Sequence, residues 1–307
     1  MNQKVLQRLW EVDIVIPVFN QLAFTRQCLK SLRRHTHLAS RVIVVDNGST
    51  DETKTALSAQ FPQARLIANS SNLGYAEGNN VGLRYAMEHG AEFALVLNND
   101  VVLAPDCIEE LLDAARENPK AALFGPLVFH ADEPNVIQSA GGMLPHDWHA
   151  YHRGANETDT SRFQKTERVD WLTGCTILVR VSALREVGLL DAAFYMYGED
   201  VDWCVRAREK EFHVLFVPQA QVWHKGVTRD YAPSPYVTYY SARNELQLIR
   251  KHHGGTSALL RAWTRHVRTV ASWSILPRWR LQRAHRDALA RALRDFARGK
   301  TGPLRLV

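Results

Sequence analysis

The chain has 307 residues, of which 46% are apolar and 23% charged, a balance typical of a folded globular protein and not of a disordered one. Its four cysteines are scattered and form no Cys-x-x-Cys pair, so we expect reduced thiols and neither a disulfide framework nor a zinc site. The seven-residue run Val12–Val18 is too short for a secretory signal or a membrane-spanning helix. These features predict a cytoplasmic protein.

The net charge of +6 is unevenly distributed along the chain. Residues 251–307 carry 13 Lys or Arg and two Asp, whereas residues 1–250 carry 25 basic and 30 acidic residues, so the two parts have net charges of +11 and −5. A basic tail suits an anionic lipid surface or a nucleic acid, but the acidic remainder is a poor surface for nucleic acid. We therefore expect no nucleic-acid partner.

Residues 12–130 alternate between strand-like and helix-like segments. The predicted elements, in chain order, are strand VDIVIPV from Val12, helix Leu22–Arg34, strand VIVVD from Val42, helix Asp51–Gln60, strand RLIA from Arg65, helix Tyr75–His89, strand FALVLN from Phe93, helix Pro105–Asn118 and strand ALFGPLVF from Ala122. This βα succession predicts an α/β fold with a Rossmann-like, mostly parallel central sheet flanked by helices.

The periodicity weakens over residues 131–168, which predicts a long functional loop. It returns with a strand at Cys175–Val179, a helix at Val201–Lys210, a strand at His213–Val217 and a helix at Pro235–Lys251. We expect these elements to complete one globular domain.

The last fifty residues are predicted to be helical and amphipathic. On a helical wheel from Leu281 to Arg298, one face carries Leu281, Ala288, Leu289, Ala292 and Phe296, and the opposite face carries Arg283, Arg286, Arg291, Arg294 and Arg298. This pattern favours a helix that lies on an anionic membrane surface, where Trp263, Trp273 and Trp279 would sit at the headgroup level. The alternative is a solvated helix packed on the core or against a second subunit.

Acidic, amide or imidazole side chains follow a predicted strand or begin a predicted helix at four places. The segments are DNGSTD at Asp46–Asp51, LNND at Leu97–Asp100, GEDVD at Gly198–Asp202 and VWH at Val222–His224. Strand ends are where α/β sheets present ligands, so we expect one shared pocket. Carboxylates with an imidazole suit Mg²⁺ or Mn²⁺ held together with substrate phosphates, which predicts an enzyme acting on a nucleotide derivative.

The order of these motifs resembles that of family 2 glycosyltransferases, which have the GT-A fold. The resemblance rests on VIPVFN, VVDNGSTD, NLGYAEGNNVG, LNNDV, GEDVDWCVR and YYSARNEL, and it is strongest to the bacterial rhamnosyltransferase-like branch that builds surface polysaccharide. It implies a catalytic domain over residues 1–255, followed by a basic helical extension over residues 256–307. It also implies inverting transfer of a sugar from a nucleoside diphosphate donor, with dTDP-rhamnose favoured and UDP-sugars next, to a hydroxyl of a growing glycan or lipid-linked glycan such as the O-antigen of lipopolysaccharide.

By this resemblance, a set of residues along the first half of the sheet and one arginine bind the donor. The set is Pro17, Phe19, Asn20, Asp46, Asn72, Gly74, Asn79, Asn98, Asn99 and Arg243. Asp46 would accept a hydrogen bond from the base, or it is simply a residue that supports the Asn47-Gly48 turn. Asn79 would line the diphosphate, or it is an ordinary amide on a helix surface. Arg243 would clamp the diphosphate with its fork of donors.

The resemblance places the metal at Asp100 and His224. Asn98 replaces the first carboxylate of the family's Asp-x-Asp motif, so Asp100 would be the main anionic ligand. His224 would be the second protein ligand, or a structural histidine. Phosphate oxygens commonly complete the shell of Mn²⁺ or Mg²⁺ in such sites.

Asp200 and Glu199 are the catalytic candidates, with Asp200 as the general base on the acceptor hydroxyl. The alternative is that both acids only stabilise the start of a helix. Asp202 and Arg206 are expected to form a structural ion pair at i, i+4. The acceptor side is assigned to Trp171, Gly174 and Trp203.

Two rival functions remain. A sugar-phosphate nucleotidyltransferase would need a Gly- and Arg-rich loop after the first strand, where this chain reads PVFNQLAF. A non-catalytic membrane-associated protein with the same fold would explain the missing carboxylate at Asn98. A homodimer and a peripheral position on the inner face of the plasma membrane complete the expectations.

Overall fold

A computed structural model describes residues 12–32 and 42–304. Within them the strands are β1 (Val12–Val18), β2 (Val42–Asp46), β3 (Arg65–Ala68), β4 (Phe93–Leu97), β5 (Val101–Leu103), β6 (Ala121–His130), β7 (Ile137–Ser139), β8 (Gly142–Met143), β9 (Tyr151–His152), β10 (Glu167–Arg168), β11 (Thr176–Arg180) and β12 (His213–His224). The helices are α1 (Leu22–Leu32), α2 (Thr53–Gln60), α3 (Gly74–Glu88), α4 (Cys107–Glu117), α5 (Val181–Val187), α6 (Glu199–Glu209), α7 (Pro235–Lys251), α8 (Thr256–Ile275) and α9 (Arg283–Ala297), with a 3₁₀ turn at Pro277–Gln282. The end predicted for the first helix, at Arg34, lies outside the described residues.

A ten-stranded sheet forms the centre of the molecule, in the order β10-β12-β6-β11-β4-β1-β2-β3, with β5 beside β12 and β7 beside β6. Strands β3, β2, β1 and β4 are parallel to one another, and β6 is parallel to β12. Helices cover both faces. The predicted α/β fold with a mostly parallel central sheet and a C-terminal helical extension is therefore confirmed.

The central strands are apolar throughout because both of their faces are buried. Along β1 successive side chains enter opposite cores: Ile14 and Ile16 pack with α1 and α4, whereas Val15 packs with Leu83 and Ala86 of α3. A strand with alternate residues in two cores has a fixed register, because a slip of one residue would exchange the two cores.

The antiparallel strand β11 brings its beginning beside the end of β4. Thr176 pairs with Leu97, and the amide of Asn98 donates to the carbonyl of Cys175 at 2.9 Å. The ends of β1, β2 and β4 therefore share one edge of the sheet with the start of β11. This edge is where ligands bind in α/β sheets.

Residues 131–168, predicted as a loop, contain the four strands β7, β8, β9 and β10. These strands have two or three residues each, which is too short to produce a hydrophobic period. Strand β12 runs to His224 rather than ending at Val217, because a register shift between Val217 and Gln221 lets it continue along β6.

The predicted interfacial helix at Leu281–Arg298 is wrong in one respect. Leu289, Leu293 and Phe296 of α9 are buried against α7 and α8, so that apolar face is already covered by the protein itself. Leu281 lies in the 3₁₀ turn and is 94% exposed, away from this contact. The alternative of a helix packed on the core is the correct one for α9.

Among the described residues, no helix combines the length and the apolar character needed to cross a membrane.

Candidate active site

Asp46 is the last residue of β2 and is buried beside Val18, the last residue of β1. Its Oδ1 accepts a hydrogen bond from the amide of Ser49 at 3.1 Å. Gly48, with φ +78°, closes this turn, and a Cβ there would lie 2.6 Å from the backbone of Ser71. Asp46 therefore supports the turn and stands at the ligand edge at the same time.

The neighbouring turn after β1 is tied to this one. The side-chain oxygen of Asn20 accepts from the backbone amide of Thr50 at 2.9 Å, and the backbone amide of Asn20 donates to the hydroxyl of Ser49 at 2.8 Å. Phe19 is 43% exposed and Pro17 is half-buried at the same edge. The structure thus brings Pro17, Phe19, Asn20 and the Asp46 turn together.

Asn47 is a structural residue of the site that the sequence motifs did not single out. Its amide donates to the carbonyl of Gly74 at 2.9 Å, and its Oδ1 accepts from the amide of Leu73 at 3.1 Å. Asn72 accepts from the amide of Gly74 at 2.9 Å. These bonds fix the start of α3 against the end of β2. The sequence signal for this role of Asn47 is the Asn-Gly pair, which by itself predicts only a turn.

Asn79 is fully buried on α3, so the interpretation as a surface amide is wrong. Its Nδ2 donates to the carbonyl of Tyr75 at 3.0 Å, while its Oδ1 has no hydrogen-bond partner among the described residues. An unpaired buried oxygen costs free energy and is often retained for a ligand or a water molecule.

Asp100 and His224 lie side by side, as their positions in the sequence predicted. Asp100 Oδ1 is 3.2 Å from His224 Nε2, yet Oδ1 makes no aligned hydrogen bond within the described chain. Strand β5 holds the pair together, because Val101 pairs with His224 in the sheet. Asn98 also has a buried, unpaired Oδ1. Asn99, in contrast, donates to the hydroxyl of Thr25 at 2.9 Å and so faces α1.

Two further residues, absent from the sequence predictions, shape this pair. His224 Nδ1 is 3.1 Å from Gln138 Oε1, which can only accept, so Nδ1 donates to it and Nε2 is the ring nitrogen that faces Asp100. A Cβ on Gly226 would lie 2.1 Å from Asp100 Oδ2, so only glycine leaves room for this carboxylate. A carboxylate oxygen and a ring nitrogen that face each other fit a shared cation.

The pair does not form a complete cage. Among residues 12–32 and 42–304, no cluster of three or more His, Cys, Asp or Glu side chains suits a metal ion. The unpaired Asp100 oxygen and the oriented His224 nitrogen fit a divalent ion with an otherwise open shell.

Asp200 is held at the start of α6. Its Oδ2 accepts from the amide of Gly174 at 2.9 Å, and its Oδ1 accepts from the amide of Val201 at 2.8 Å. Burial raises the pKa of Asp200 despite these hydrogen bonds. Since Gly174 directly precedes Cys175, whose carbonyl bonds the amide of Asn98, the two carboxylate segments meet at the start of β11.

Glu199 is buried, and its Oε2 has no hydrogen-bond partner in the described part of the chain. Burial and then the charge of Asp200 raise its pKa well above the usual value. Glu199 is thereby favoured as a neutral acid beside an ionised Asp200, because two adjacent buried carboxylates ionise together only at high cost.

The loop before α6 has a strained backbone. Tyr195, Tyr197 and Gly198 all have left-handed φ angles of 67°, 66° and 90°. Asn244 of α7 holds this loop, because its Nδ2 lies 2.9 Å from the carbonyl oxygen of Phe194 and 2.7 Å from that of Tyr197. Such strain persists only where the surroundings impose it, often at functional sites.

The predicted diphosphate clamp at Arg243 is wrong. The residue is only 1% exposed, and its guanidinium donates to the carbonyls of Gly302 at 2.7 Å and Phe194 at 3.0 Å. It also stacks over Tyr240. Arg243 joins the extension to the loop before α6, and its guanidinium is buried among backbone carbonyls instead of facing an open phosphate site.

The prediction that Trp171 and Trp203 line the acceptor side is also wrong. Trp203 is fully buried and its indole donates to the carbonyl of Gly188, and Trp171 is buried against Gly142. Tyr197, immediately before Gly198-Glu199, is by contrast 39% exposed. The sequence alone does not show which aromatic side chains are buried and which face the pocket.

The expected ion pair is confirmed, since Arg206 Nε is 2.8 Å from Asp202 Oδ2. Asp202 is in addition bound by Lys251 at 2.7 Å and by His252 at 2.9 Å. This buried cluster anchors α6 to the end of α7.

The order and direction of the strands define an α/β fold of the GT-A type. Structures that share this fold include a mannosyltransferase from Pyrobaculum calidifontis in complex with GDP-Man and Mn²⁺, with 15% identity, a TM-score of 0.58, and coverage of 94% of this chain and 88% of that one. The S. aureus protein TarS, in complex with UDP-GlcNAc, has 15% identity, a TM-score of 0.56, and coverage of 97% and 94%.

Residues 13–188 match Glycosyl transferase family 2, and the chain belongs to this family. It is 30% identical over 286 residues to an N-acetylglucosaminyl-diphospho-decaprenol L-rhamnosyltransferase of Mycobacterium tuberculosis, covering 85% of this chain and 91% of the relative. It is 24% identical over 220 residues to the dTDP-rhamnosyl transferase RfbF of Shigella flexneri, covering 69% and 71%. The protein is thus a glycosyltransferase, and the predicted family is confirmed.

Proposed function

We propose that this enzyme transfers a sugar from a nucleoside diphosphate sugar to a hydroxyl of a bacterial surface glycan, with inversion at the anomeric carbon. The donor is dTDP-rhamnose first and a UDP-sugar next, and the acceptor is a glycan or a lipid-linked glycan. Support comes from the two relatives named above, both rhamnosyltransferases, one of them named for a lipid diphosphate and the other for dTDP-rhamnose.

In this proposal Asp100 and His224 hold Mn²⁺ or Mg²⁺, with oxygens of the donor diphosphate completing the shell. The observation that carries it is the unpaired Asp100 Oδ1 at 3.2 Å from His224 Nε2. When bound, the ion neutralises charge on the departing diphosphate. Crystals of two proteins with this fold contain Mn²⁺.

The donor would lie along the edge made by Pro17, Phe19, Asn20, Asp46, Asn72, Gly74, Asn79 and Asn98. Asp46 accepts from the base, and the oxygens of Asn79 and Asn98 that lack protein partners hydrogen-bond to ribose or to bound water. Asp200 takes the proton of the acceptor hydroxyl. Glu199 keeps its own proton, so that Asp200 alone carries the negative charge there.

Asp200→Ala tests the base directly. We expect turnover to fall by roughly 10²- to 10⁴-fold, the usual contribution of general base catalysis. Donor affinity, measured by calorimetry with Mn²⁺ present, should stay close to that of the wild type. Nucleoside diphosphate release at the wild-type rate in this variant would remove Asp200 from its role.

The same release assay, run with dTDP-rhamnose, UDP-glucose and GDP-mannose, separates the enzyme from a non-catalytic protein of the same fold. Release with one donor and not the others supports the proposal and identifies the nucleotide of the donor. Binding of a donor without release in the presence of candidate acceptors would favour the non-catalytic alternative.

We further propose that the enzyme works at an anionic membrane surface, on the cytoplasmic side, through its basic extension. A lipid-linked acceptor would be reached there. We also propose that the chain forms a homodimer. Its molar mass in solution, measured by light scattering, tests this.

A further inference from the structure

A groove of about 730 Å³ lies along α8 and faces the 3₁₀ turn. It is lined by Leu260, Arg261, Arg265, Arg268, Trp273 and Trp279, among others. None of these residues belongs to the active site described above. The groove is mainly apolar along its walls and cationic along one side.

The cationic side consists of three arginines at i, i+4 and i+7 on one face of α8. Arg265 is paired with Glu245, but Arg261 and Arg268 have no acidic partner among the described residues. Two guanidinium groups left without counter-ions beside an apolar wall are complementary to an anion attached to an apolar body.

Trp279 provides a second, independent indication. Its indole Nε1 is buried, lines this groove and has no hydrogen-bond acceptor within the described chain. A buried donor left unpaired costs free energy that an acceptor oxygen in the groove would recover. The guanidinium groups and the indole N–H thus both fit an anionic ligand with acceptor oxygens.

Exposed apolar side chains lie on the two elements that form the groove. Leu260, which lines the groove, is 62% exposed, Ile275 at the end of α8 is 77% exposed, and Leu281 in the 3₁₀ turn is 94% exposed. Exposed apolar side chains next to arginines and tryptophans are the composition that partitions into the headgroup region of a bilayer. These apolar side chains and the anion site therefore lie on the same part of the extension.

We propose that this groove binds the phosphate headgroup of an anionic phospholipid, so that α8 and the 3₁₀ turn, rather than α9, are the membrane-docking surface. Arg261 and Arg268 contact the phosphate, Trp279 donates to one of its oxygens, and Ile275 and Leu281 enter the lipid. The inference rests on the proposed membrane location and assigns it to particular residues. A second copy of the chain could occupy the groove only through an acidic and apolar surface of its own, and the test below distinguishes that outcome.

The test is binding of the full chain to vesicles of phosphatidylcholine, with and without phosphatidylglycerol, measured by flotation. We expect binding to vesicles with phosphatidylglycerol, and a loss of about tenfold or more in the partition coefficient for Arg261→Glu with Arg268→Glu, since each basic residue near an anionic leaflet contributes appreciably. Trp279→Phe keeps the ring and removes the N–H, and should weaken binding about threefold, the scale of one hydrogen bond.

The matched control is Arg294→Glu with Arg298→Glu, which makes the same change of charge on α9 and its C-cap, outside the groove. This pair should retain most of the binding. Circular dichroism and the melting temperature of each variant verify that it is folded. Equal losses in both pairs, equal binding to both kinds of vesicle, or a dimer that the groove pair dissociates would overturn the proposal.

Nucleoside diphosphate release from a donor in solution, without vesicles, separates this inference from the proposed function. We expect the groove variants to retain the wild-type rate. If the wild type releases nothing but its vesicle binding depends on the groove, the proposed chemistry fails and the lipid site stands.

Discussion

At Asp100 and His224, a carboxylate oxygen and a ring nitrogen lie 3.2 Å apart, and neighbouring residues fix their positions. Gln138 sets the proton of the imidazole on Nδ1, and Gly226 leaves the space that the carboxylate occupies. The affinity for a divalent ion is therefore expected to depend on the neighbours of the pair as well as on the pair.

Gly226→Ala should lower the affinity for Mn²⁺ by about tenfold or more, because its Cβ would displace the Asp100 carboxylate. Titration with Mn²⁺ followed by electron paramagnetic resonance measures this without turnover. In an Asp100→Ala background the same substitution should cause little further loss, since coupled residues are not additive. Additive losses would show that Gly226 acts elsewhere.

The positions of some residues of the site can be predicted from the sequence, and those of others cannot. Asp46, Asp100, Asp200 and His224 follow strands or begin a helix, and the geometry of α/β sheets was enough to bring them to one edge. Arg243 was misread because the burial of a side chain depends on which helix packs over it, and the extension that buries it was not expected to pack there.

At the scale of elements, α6 and the loop before it are positioned from behind by α7. The Arg243-Asn244 segment binds the carbonyls of the left-handed loop, and the Asp202 cluster binds the end of α7. The catalytic candidate Asp200 lies between these two attachments. Its position is thus determined by a helix that does not enter the pocket.

Asn244→Ala should cost about 1–3 kcal/mol of stability, the cost of leaving buried partners unpaired. In the fraction that folds, kcat should fall with KM for the donor nearly unchanged, because the loop carries the base and not the donor site. Gln247→Ala is the matched control, a buried amide one turn further along the same helix. Equal effects of the two substitutions on kcat would contradict this role.

His252 makes the stability of this attachment depend on pH. Burial lowers its pKa, but the hydrogen bonds to Asp202 and Glu209 outweigh burial, and the net shift is upward. A group whose pKa is higher in the folded state than in the unfolded state stabilises the folded protein. This contribution is complete below the unfolded pKa and is lost as pH rises through the folded pKa. Denaturant unfolding should therefore show the wild type losing stability relative to His252→Gln as pH rises from about 6.5, the pKa of an unperturbed histidine, through the raised pKa of the folded state. Parallel curves for the two proteins would refute it.

The elements themselves were predictable where they are long and regularly patterned. Strands β1, β2 and β4 are continuous apolar runs, and α4 has apolar residues at i, i+3, i+4 and i+7. Strands β7 to β10 were not, because two or three residues paired by distant neighbours leave no local pattern.

At the scale of the whole molecule, the extension predicted to start at residue 256 shares a core with the catalytic part. Leu246 and Ile249 of α7 pack with Leu293 and Phe296 of α9. The boundary at 255/256 remains a prediction about sequence organisation, and these contacts lead us to expect that the two parts do not fold separately.

Removal of residues 256–307 should lower the free energy of unfolding by about 5 kcal/mol or prevent folding, because several large apolar side chains would lose their cover at about 2 kcal/mol each. Thermal and denaturant melts of the truncated chain measure this. Leu281→Ala, at a 94% exposed position, is the control and should change stability little. A truncated chain with the wild-type melting temperature would establish two independent domains.

Tyr195 connects the two ends of the pocket. A Cβ on Gly74 would lie 2.4 Å from its ring, and its carbonyl accepts from the amide of Ala76 in the first turn of α3 at 3.1 Å. The segment that presents Asp200 therefore leans on the helix that borders the donor. This contact acts as a spacer between the start of α3 and the loop before α6, so the fold itself sets the distance between these two segments.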